Sequence, residues 1–410
     1  MPLPTGLRAL ESRDFRVYYA GTLVSQIGNW MQTVTQSWLV LELTGSPFLL
    51  GLTSTLQSGP ILLFSIFTGV LADRLTKRNV LLCTQVVQAA LALVLGLLVW
   101  TGHVRYWTVA AMAVVWGVMN ALDQPTRQSF IMELVDRRAV ASAVGMNSAS
   151  FNSARIIGPA VAGVLIARVG LFLGFLLNAA SFLVSIAALL RVPARPPTPR
   201  AGPVAVLDEI AEGIAYAART PAVSFALGLQ IIVSFCVFNF SVYVPLLANK
   251  VLGLGSEGFG FLMAALGLGA VAAGLSLGVV GARAPAPRLL AGAAAVACAG
   301  LLALSVTRSA GVAAALLVGI GFAGTLVMAG CNTSLQLAAP DALRGRIMSL
   351  YTLLSGGIFP IGAFFVGAVS EAAGVPRAFS VNGTLGLAAL ALLTMARRRH
   401  LGRAAAVSTR

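Results

Sequence analysis

Two glycine-containing motifs and two histidines are the residues of this chain whose types and spacing could support enzymatic chemistry. Residues 253–258 have the GxGxxG spacing of a nucleotide-binding turn, and residues 274–278 have the GxSxG spacing around a nucleophilic serine. Both chemistries need a strand before the motif and a helix after it, and neither motif has that context. His103 and His400 fall near opposite faces of the membrane that the hydropathy below predicts. We therefore predict no enzyme, with no catalytic residue, cofactor or metal.

Polar side chains recur through the first apolar stretch at steps of three and four residues, which places them on one face of a helix. They are Gln26, Asn29, Gln32, Thr33 and Gln36. Amides are costly against lipid, so this face is predicted to point to a cavity or to other helices. Two interpretations stay open, a substrate cavity on a translocation path and hydrogen bonds between helices.

Arg155 is the only Lys or Arg that falls well inside a predicted span. At mid-membrane an Arg costs at least about 2.5 kcal/mol on insertion scales, so it is expected to be paired or functional. We place Arg155 in the predicted substrate cavity together with Asn152, one turn earlier. The alternative is an Arg that braces the structure by binding carbonyls at a helix end.

Charged residues interrupt the apolar chain at residues 69–78, GVLADRLTKR, and again around Pro125. The first interruption predicts a tight, charged turn between the second and third spans. The fourth span is predicted to end near Asp123, so that Asp123 and Arg127 flank Pro125 on the same membrane face as that turn. Opposite charges there can pair between helices.

The charged turn resembles the signature loop of the major facilitator superfamily, Gly-x-x-x-Asp-Arg-x-Gly-Arg-Arg/Lys. The matches are Gly69, Asp73, Arg74 and Arg78, while Lys77 keeps the charge and Thr76 replaces the second Gly. The fifth span is similar to the antiporter motif of that superfamily at Gly158, Pro159 and Gly163, with two other glycines replaced by Ala. Phrases such as ELTGSP, ALDQPTRQSF and NSARIIGPAVAG resemble the branch of bacterial drug exporters that includes enterobactin and macrolide exporters.

This resemblance implies a gating role for residues 69–78 together with Asp123 and Arg127. Asp73 is expected to meet the start of the eleventh span near Arg344 and Arg346, where a helix N-terminus favours an anion. Lys77 or Arg78 is expected to pair with Asp123 and hold the turn in place. A solvated turn whose charges only enforce topology is the alternative.

Hydropathy predicts an all-α membrane protein of twelve transmembrane helices in two pseudo-symmetric six-helix bundles, the major facilitator fold. Apolar residues make up 58% of the chain and charged residues 10%, and the mean hydropathy is +0.89. Uncharged stretches divide into twelve segments, and a helix needs about 20 residues to cross a bilayer. A proline-rich linker near the midpoint predicts a six-helix bundle over residues 1–190, a cytoplasmic linker with an amphipathic helix over 191–220, and a second bundle over 221–410.

The placement of the basic residues predicts the topology. Threading the spans from a cytoplasmic N-terminus leaves few of the 28 Lys and Arg outside, namely Arg105, Arg168, Lys250, Arg308 and Arg377. This asymmetry obeys the positive-inside rule and predicts both termini in the cytoplasm. The net charge of +15 therefore indicates membrane lipids and not nucleic acid as partners. We predict a monomer that crosses the bacterial cytoplasmic (inner) membrane many times.

The predicted function is secondary export of a small amphipathic organic molecule, drug-like or siderophore-like, by alternating access of the two bundles and in exchange for protons. The coupling site is unassigned, because Asp73, Asp123, Glu42 and Glu371 are all predicted near membrane faces. An uncoupled facilitator or a lysophospholipid flippase is the second transport hypothesis. A membrane sensor or scaffold that transports nothing is the third, and it leaves the polar helical faces without a purpose.

Overall fold

A computed structural model describes residues 5–195, 206–280 and 285–408 of this protein. Within these ranges it describes no side chains for residues 5, 65–74, 152, 206–210, 278–280, 341–342 and 399–408. Every regular element in the described ranges is helical, which confirms the predicted all-α class.

The helices follow one another with short connections. In the described ranges they are α1 (Arg13–Thr44), α2 (Pro47–Arg74), α3 (Lys77–Trp100), α4 (Tyr106–Glu133), α5 (Val140–Arg168), α6 (Leu171–Arg191), α7 (Val206–Arg219), α8 (Pro221–Cys236), α9 (Phe240–Leu246), α10 (Ser256–Val280), α11 (Pro287–Val306), α12 (Ala310–Ala338), α13 (Asp341–Ala373) and α14 (Val375–Ser408). A 3-10 helix over Thr5–Glu11 precedes α1, and a π-helical turn over Leu247–Val251 extends α9.

Ten helical stretches among the described residues are long and apolar enough to cross a membrane. One of them, Pro221–Val251, joins α8 and α9. The long helices α1 and α4 are not among the ten. These two helices carry several of the polar side chains of the predicted site, and polar side chains lower the hydropathy of a helix. The count of twelve spans stays a prediction.

The chain forms two compact units. Unit 1 comprises Met1–Gly202 with Leu254–Ala264, and unit 2 comprises Pro203–Gly253 with Ala265–Arg410. In unit 1, α1 packs on α5 and α6, α2 on α4, and α3 on α4 and α6. In unit 2, α8 packs on α12, α13 and α14, and α11 packs on α12 and α14. The division at residues 1–190, 191–220 and 221–410 stays a prediction, and residues 196–205 of that linker lie outside the described ranges.

The two units repeat a local pattern. Gly170 precedes α6 with φ +113°, and Gly374 precedes α14 with φ +88°, a backbone conformation that favours glycine. Eight residues later each helix carries a completely buried asparagine, Asn178 in α6 and Asn382 in α14. Equal spacing of a required glycine and a buried amide in both units supports the duplication that many transporters share.

The linker helix α7 belongs to unit 2 and packs against α12 and α13. Glu212 forms an ion pair with Arg346 near the start of α13. The hydroxyl of Tyr216 donates to the carbonyl of Ala338 at the end of α12, at 3.5 Å. Ala217 is buried, whereas Ile214 is 51% exposed. The amphipathic helix therefore packs through its small residues and leaves at least one large apolar side chain outside.

The prediction that the fourth helix ends near Asp123 is wrong. Helix α4 continues through Pro125 and ends at Glu133, ten residues further on. Proline removes a single backbone donor, and membrane helices tolerate that loss when side chains take part in the hydrogen bonding. Next to Pro125, Thr126 donates its hydroxyl to the carbonyl of Leu122 at 2.7 Å. Asp123 therefore lies inside a helix and not at its end.

Candidate functional site

An ion pair joins the start of α3 to the end of α4. Lys77 binds the carboxylate of Glu133, and these side chains are 13% and 20% exposed. Arg195, beyond α6, donates to the backbone carbonyl of Glu133. The predicted pairing of Lys77 with Asp123 is wrong, because Asp123 lies ten residues deeper in α4, about 15 Å along the helix. The cation of the turn does meet an acid of the fourth span, but a different one.

Arg78 binds the end of α6. Its Nε donates to the carbonyl of Leu189 at 2.9 Å and its Nη2 to the carbonyl of Leu190 at 3.2 Å. The last carbonyls of a helix have no partners within the helix, and a cation also interacts favourably with this end of the helix dipole. Arg78 therefore fixes α3 to α6, and its predicted pairing with Asp123 is also wrong.

Removing the Lys77–Glu133 ion pair is expected to lower the stability of the protein by about 1 kcal/mol, because a partly buried ion pair has a larger coupling energy than an exposed one. A double-mutant cycle of Lys77→Gln and Glu133→Gln, followed by thermal unfolding in mild detergent, measures this coupling. The exposed pair Arg168–Glu257, with charged atoms 3.7 Å apart, is the control and should show almost none. Equal coupling in both cycles would mean that burial does not strengthen the first pair.

Asp123 and Arg127 form a buried polar cluster between α1, α3 and α4. Arg127 donates its Nε and Nη2 to one carboxylate oxygen of Asp123, at 2.9 and 2.7 Å. The other oxygen accepts from Thr84 at 2.9 Å and from Gln85 at 3.2 Å, and Arg127 also reaches Thr22 of α1 at 3.4 Å. Only 3% of Asp123 is exposed. The pairing across Pro125 is within one helix, not between helices as expected.

The predicted polar face of α1 divides into two parts. Gln32 and Gln36 are buried, and Gln32 accepts a 2.7 Å hydrogen bond from Asn178 of α6. Gln26, Asn29 and Thr33 are partly exposed. The buried part matches the helix-bridging interpretation, and Asn29 also accepts a hydrogen bond from Asn178, at 3.4 Å. A substrate cavity along the partly exposed part stays a prediction.

Arg155 lies at the middle of α5 beside an aromatic pair. Its guanidinium carbon is 5.8 Å from the ring centroid of Trp30 on α1. The Trp30 and Phe151 rings meet edge to face with centroids 5.6 Å apart. A cation over an indole face within about 6 Å is attracted by the ring. The structure thus brings Arg155 to the half-exposed part of the α1 polar face.

The antiporter-like residues of α5 are points of close helix contact in unit 1. A Cβ on Gly158 would stand 2.6 Å from the Cβ of Trp30 and 2.8 Å from the carbonyl oxygen of Ile27. A Cβ on Gly163 would stand 2.7 Å from the Cα of Gly260 in the first turns of α10. Pro159 is buried between these two positions. Side chains at Gly158 and Gly163 would push the backbone of α5 away from its neighbours. These two glycines therefore determine how closely α5 packs in unit 1.

Some predicted site residues have no described side chain. Gly69, Asp73 and Arg74 lie in the last turns of α2, so the turn between α2 and α3 is shorter than the predicted ten residues. Asn152 lies within α5. The expected contact of Asp73 with the start of the eleventh span therefore falls outside the described side chains and stays a prediction.

Several residues of these clusters were missed by sequence reasoning. They are Trp30, Thr84, Gln85, Glu133, Phe151 and Asn178. Thr84 and Gln85, with the buried Gln88, repeat along one face of α3, and this spacing in an apolar helix is a signal that could have identified them. The aromatic residues carry no such signal, since aromatic side chains are common in apolar helices.

Comparison with a solved structure identifies the fold. A bacterial homologue of the human lysosomal transporter Spinster, solved in an inward-facing and unoccupied conformation, superposes with a TM-score of 0.74. The match covers 95% of this chain and 97% of the other at 16% identity. This likeness shows the fold, that of a helical membrane protein. A profile of the transmembrane secretion effector family matches residues 5–410, and the chain belongs to this family. The predicted resemblance and the prediction of a non-enzyme are thereby confirmed.

Curated relatives in this family are transporters and exporters. The staphyloferrin A transporter of Staphylococcus aureus is 24% identical over 401 residues, 90% of this chain and 92% of the relative. The multidrug efflux pump Tap of Mycobacterium tuberculosis is 24% identical over 384 residues, 89% of this chain and 88% of the relative. The enterobactin exporter EntS of Escherichia coli is 25% identical over 395 residues, 94% of this chain and 92% of the relative.

Proposed function

We propose that this transporter is a secondary exporter of a small amphipathic organic molecule, which it moves by alternating access in exchange for protons. We place it in the cytoplasmic membrane of a bacterium, as a monomer with both termini in the cytoplasm. The efflux and exporter activities named for Tap and EntS support the outward direction.

The observation that carries this proposal is the half-exposed group on α1 and α5. Gln26, Asn29 and Thr33 lie on α1 with Trp30, and Arg155 stands over the Trp30 ring. Ligand sites combine apolar and aromatic surface with a few polar groups that orient the ligand. A molecule with an apolar body and a polar group suits this combination.

We propose Asp123 as the group through which protons act. Proton relays in membranes use carboxylates that face a bundle interior and are paired there. Asp123 is buried in α4 and bound by Arg127. Protonation of Asp123 would remove its charge and leave Arg127 without its carboxylate partner, which would weaken the contacts among α1, α3 and α4. A change in packing of this kind can couple protonation to a conformational equilibrium.

Purified protein in liposomes is expected to move an amphipathic fluorescent dye when a pH gradient is imposed, and a protonophore should stop this movement. Cys83→Ser, at an exposed position of α3, is the matched control and should behave as the parent protein. Dye or lysophospholipid movement that ignores the gradient would replace antiport with a facilitator or a flippase. No movement of any substrate would favour the sensor or scaffold hypothesis.

A further inference from the structure

The aromatic pair beside Arg155 has the composition of a selective binding subsite. Trp30 lies on α1, whereas Phe151 and Arg155 lie one turn apart on α5. Trp30 and Arg155 are partly exposed, and 46% of Phe151 is exposed. Part of each of these three side chains is therefore exposed in the same part of unit 1.

A polar atom beside this group has no partner. Gln26 lies one helical turn before Trp30 on the same face of α1. Its Oε1 atom is buried and has no hydrogen-bond partner among the described residues. A buried acceptor without a partner is costly, and a ligand that donates a hydrogen bond would relieve this cost.

We propose that Arg155, Trp30 and Phe151 form a subsite for an aromatic organic anion. The anionic group binds the guanidinium of Arg155, and the aromatic ring packs against Trp30 and Phe151. A hydroxyl or N–H group on the ligand donates to Gln26. This inference rests on the proposed function and names the substrate class of the same site.

The chemistry of Arg155 gives the subsite its charge selectivity. A guanidinium offers a planar fork of donors that matches a carboxylate with two parallel hydrogen bonds. A neutral ligand of the same shape keeps the ring contacts and loses the charge-assisted hydrogen bonds. A cationic ligand is repelled as well. The ring contacts thus contribute to the affinity for all three ligands, and the charge of Arg155 causes the differences in affinity between them.

Three probes with one ring system test the proposal: 2-naphthoate, 2-naphthamide and 2-naphthylmethylammonium. Binding to the full-length protein in nanodiscs is measured by equilibrium dialysis. We expect naphthoate to bind about 10- to 100-fold more tightly than naphthamide, the range for charge-assisted hydrogen bonds. Arg155→Gln should remove this preference and keep the affinity for naphthamide. Arg168→Gln, at the exposed end of the same helix, should keep the preference.

Arg155→Lys is a second variant that tests the subsite even if Arg155→Gln fails to fold. It retains the positive charge and changes only the geometry of the hydrogen-bond donors. It should lower naphthoate affinity and leave naphthamide affinity unchanged. An undiminished naphthoate preference in Arg155→Gln, or no preference in the parent protein, would overturn the subsite. These results are separate from the proposed function, which fails if the parent protein in liposomes moves no substrate or moves it without responding to the pH gradient. Selective binding without movement would support the subsite and overturn the exporter.

Discussion

Asp123→Ala is expected to lower the stability of the protein by about 3–5 kcal/mol, well above the loss expected when an exposed ion pair is broken. The variant leaves the Arg127 guanidinium buried without its carboxylate, and it also removes the acceptor for Thr84 and Gln85. An uncompensated buried charge costs more than the pair itself contributes. The thermal midpoint of the purified variant in mild detergent measures the loss.

The double variant Asp123→Asn with Arg127→Gln separates stability from coupling. It removes both charges and keeps groups of similar size that can still hydrogen-bond, so most of the stability should return. We expect this variant to fold and to move the dye down its own gradient without responding to a pH gradient. If pH-driven movement persists in the folded double variant, the pair is a structural brace and Asp123 is not the coupling group.

Gly158→Ala is expected to destabilise the protein by about 1–3 kcal/mol through overpacking. The added Cβ would meet the carbonyl oxygen of Ile27 at 2.8 Å and the backbone nitrogen of Met31 at 2.9 Å. Backbone atoms of a helix cannot turn aside as a flexible side chain can, so α5 must move away from α1. The shift would also move Arg155 relative to Trp30. Thermal unfolding and dye movement measure the two consequences.

Gly145→Ala is the matched control for this prediction, since it lies on the same helix with no atom within 4 Å of the added Cβ. Alanine is the better helix former by about 0.8–1.0 kcal/mol, so this variant should be at least as stable as the parent. Equal thermal midpoints for the two variants would show that the α1–α5 contact is more adaptable than its geometry implies.

The sequence alone determined the class of protein and the existence of its helices. A chain with so many long apolar segments is stable in a membrane and not in water. Inside the membrane, the backbone groups of each segment must form their hydrogen bonds within a helix. The polar face of α1 and the isolated Arg155 could also be recognised, because a single polar group in an apolar run stands out regardless of its partners. The signature turn and the α5 motif were sufficient to indicate the superfamily.

Only the tertiary structure decided which groups meet. Pro125 was expected to mark a helix end, but α4 continues past it, so Asp123 lies inside the bundle and Glu133 is the acid level with Lys77. A charged side chain can pair with any opposite charge that lies close to it in the folded protein, and that distance depends on the length and rotation of the helices. The pairing of Gln32 with Asn178, and the position of Trp30 under Arg155, likewise follow from how the helices pack. Local sequence specifies which residues must be kept from lipid, whereas packing between helices selects their partners.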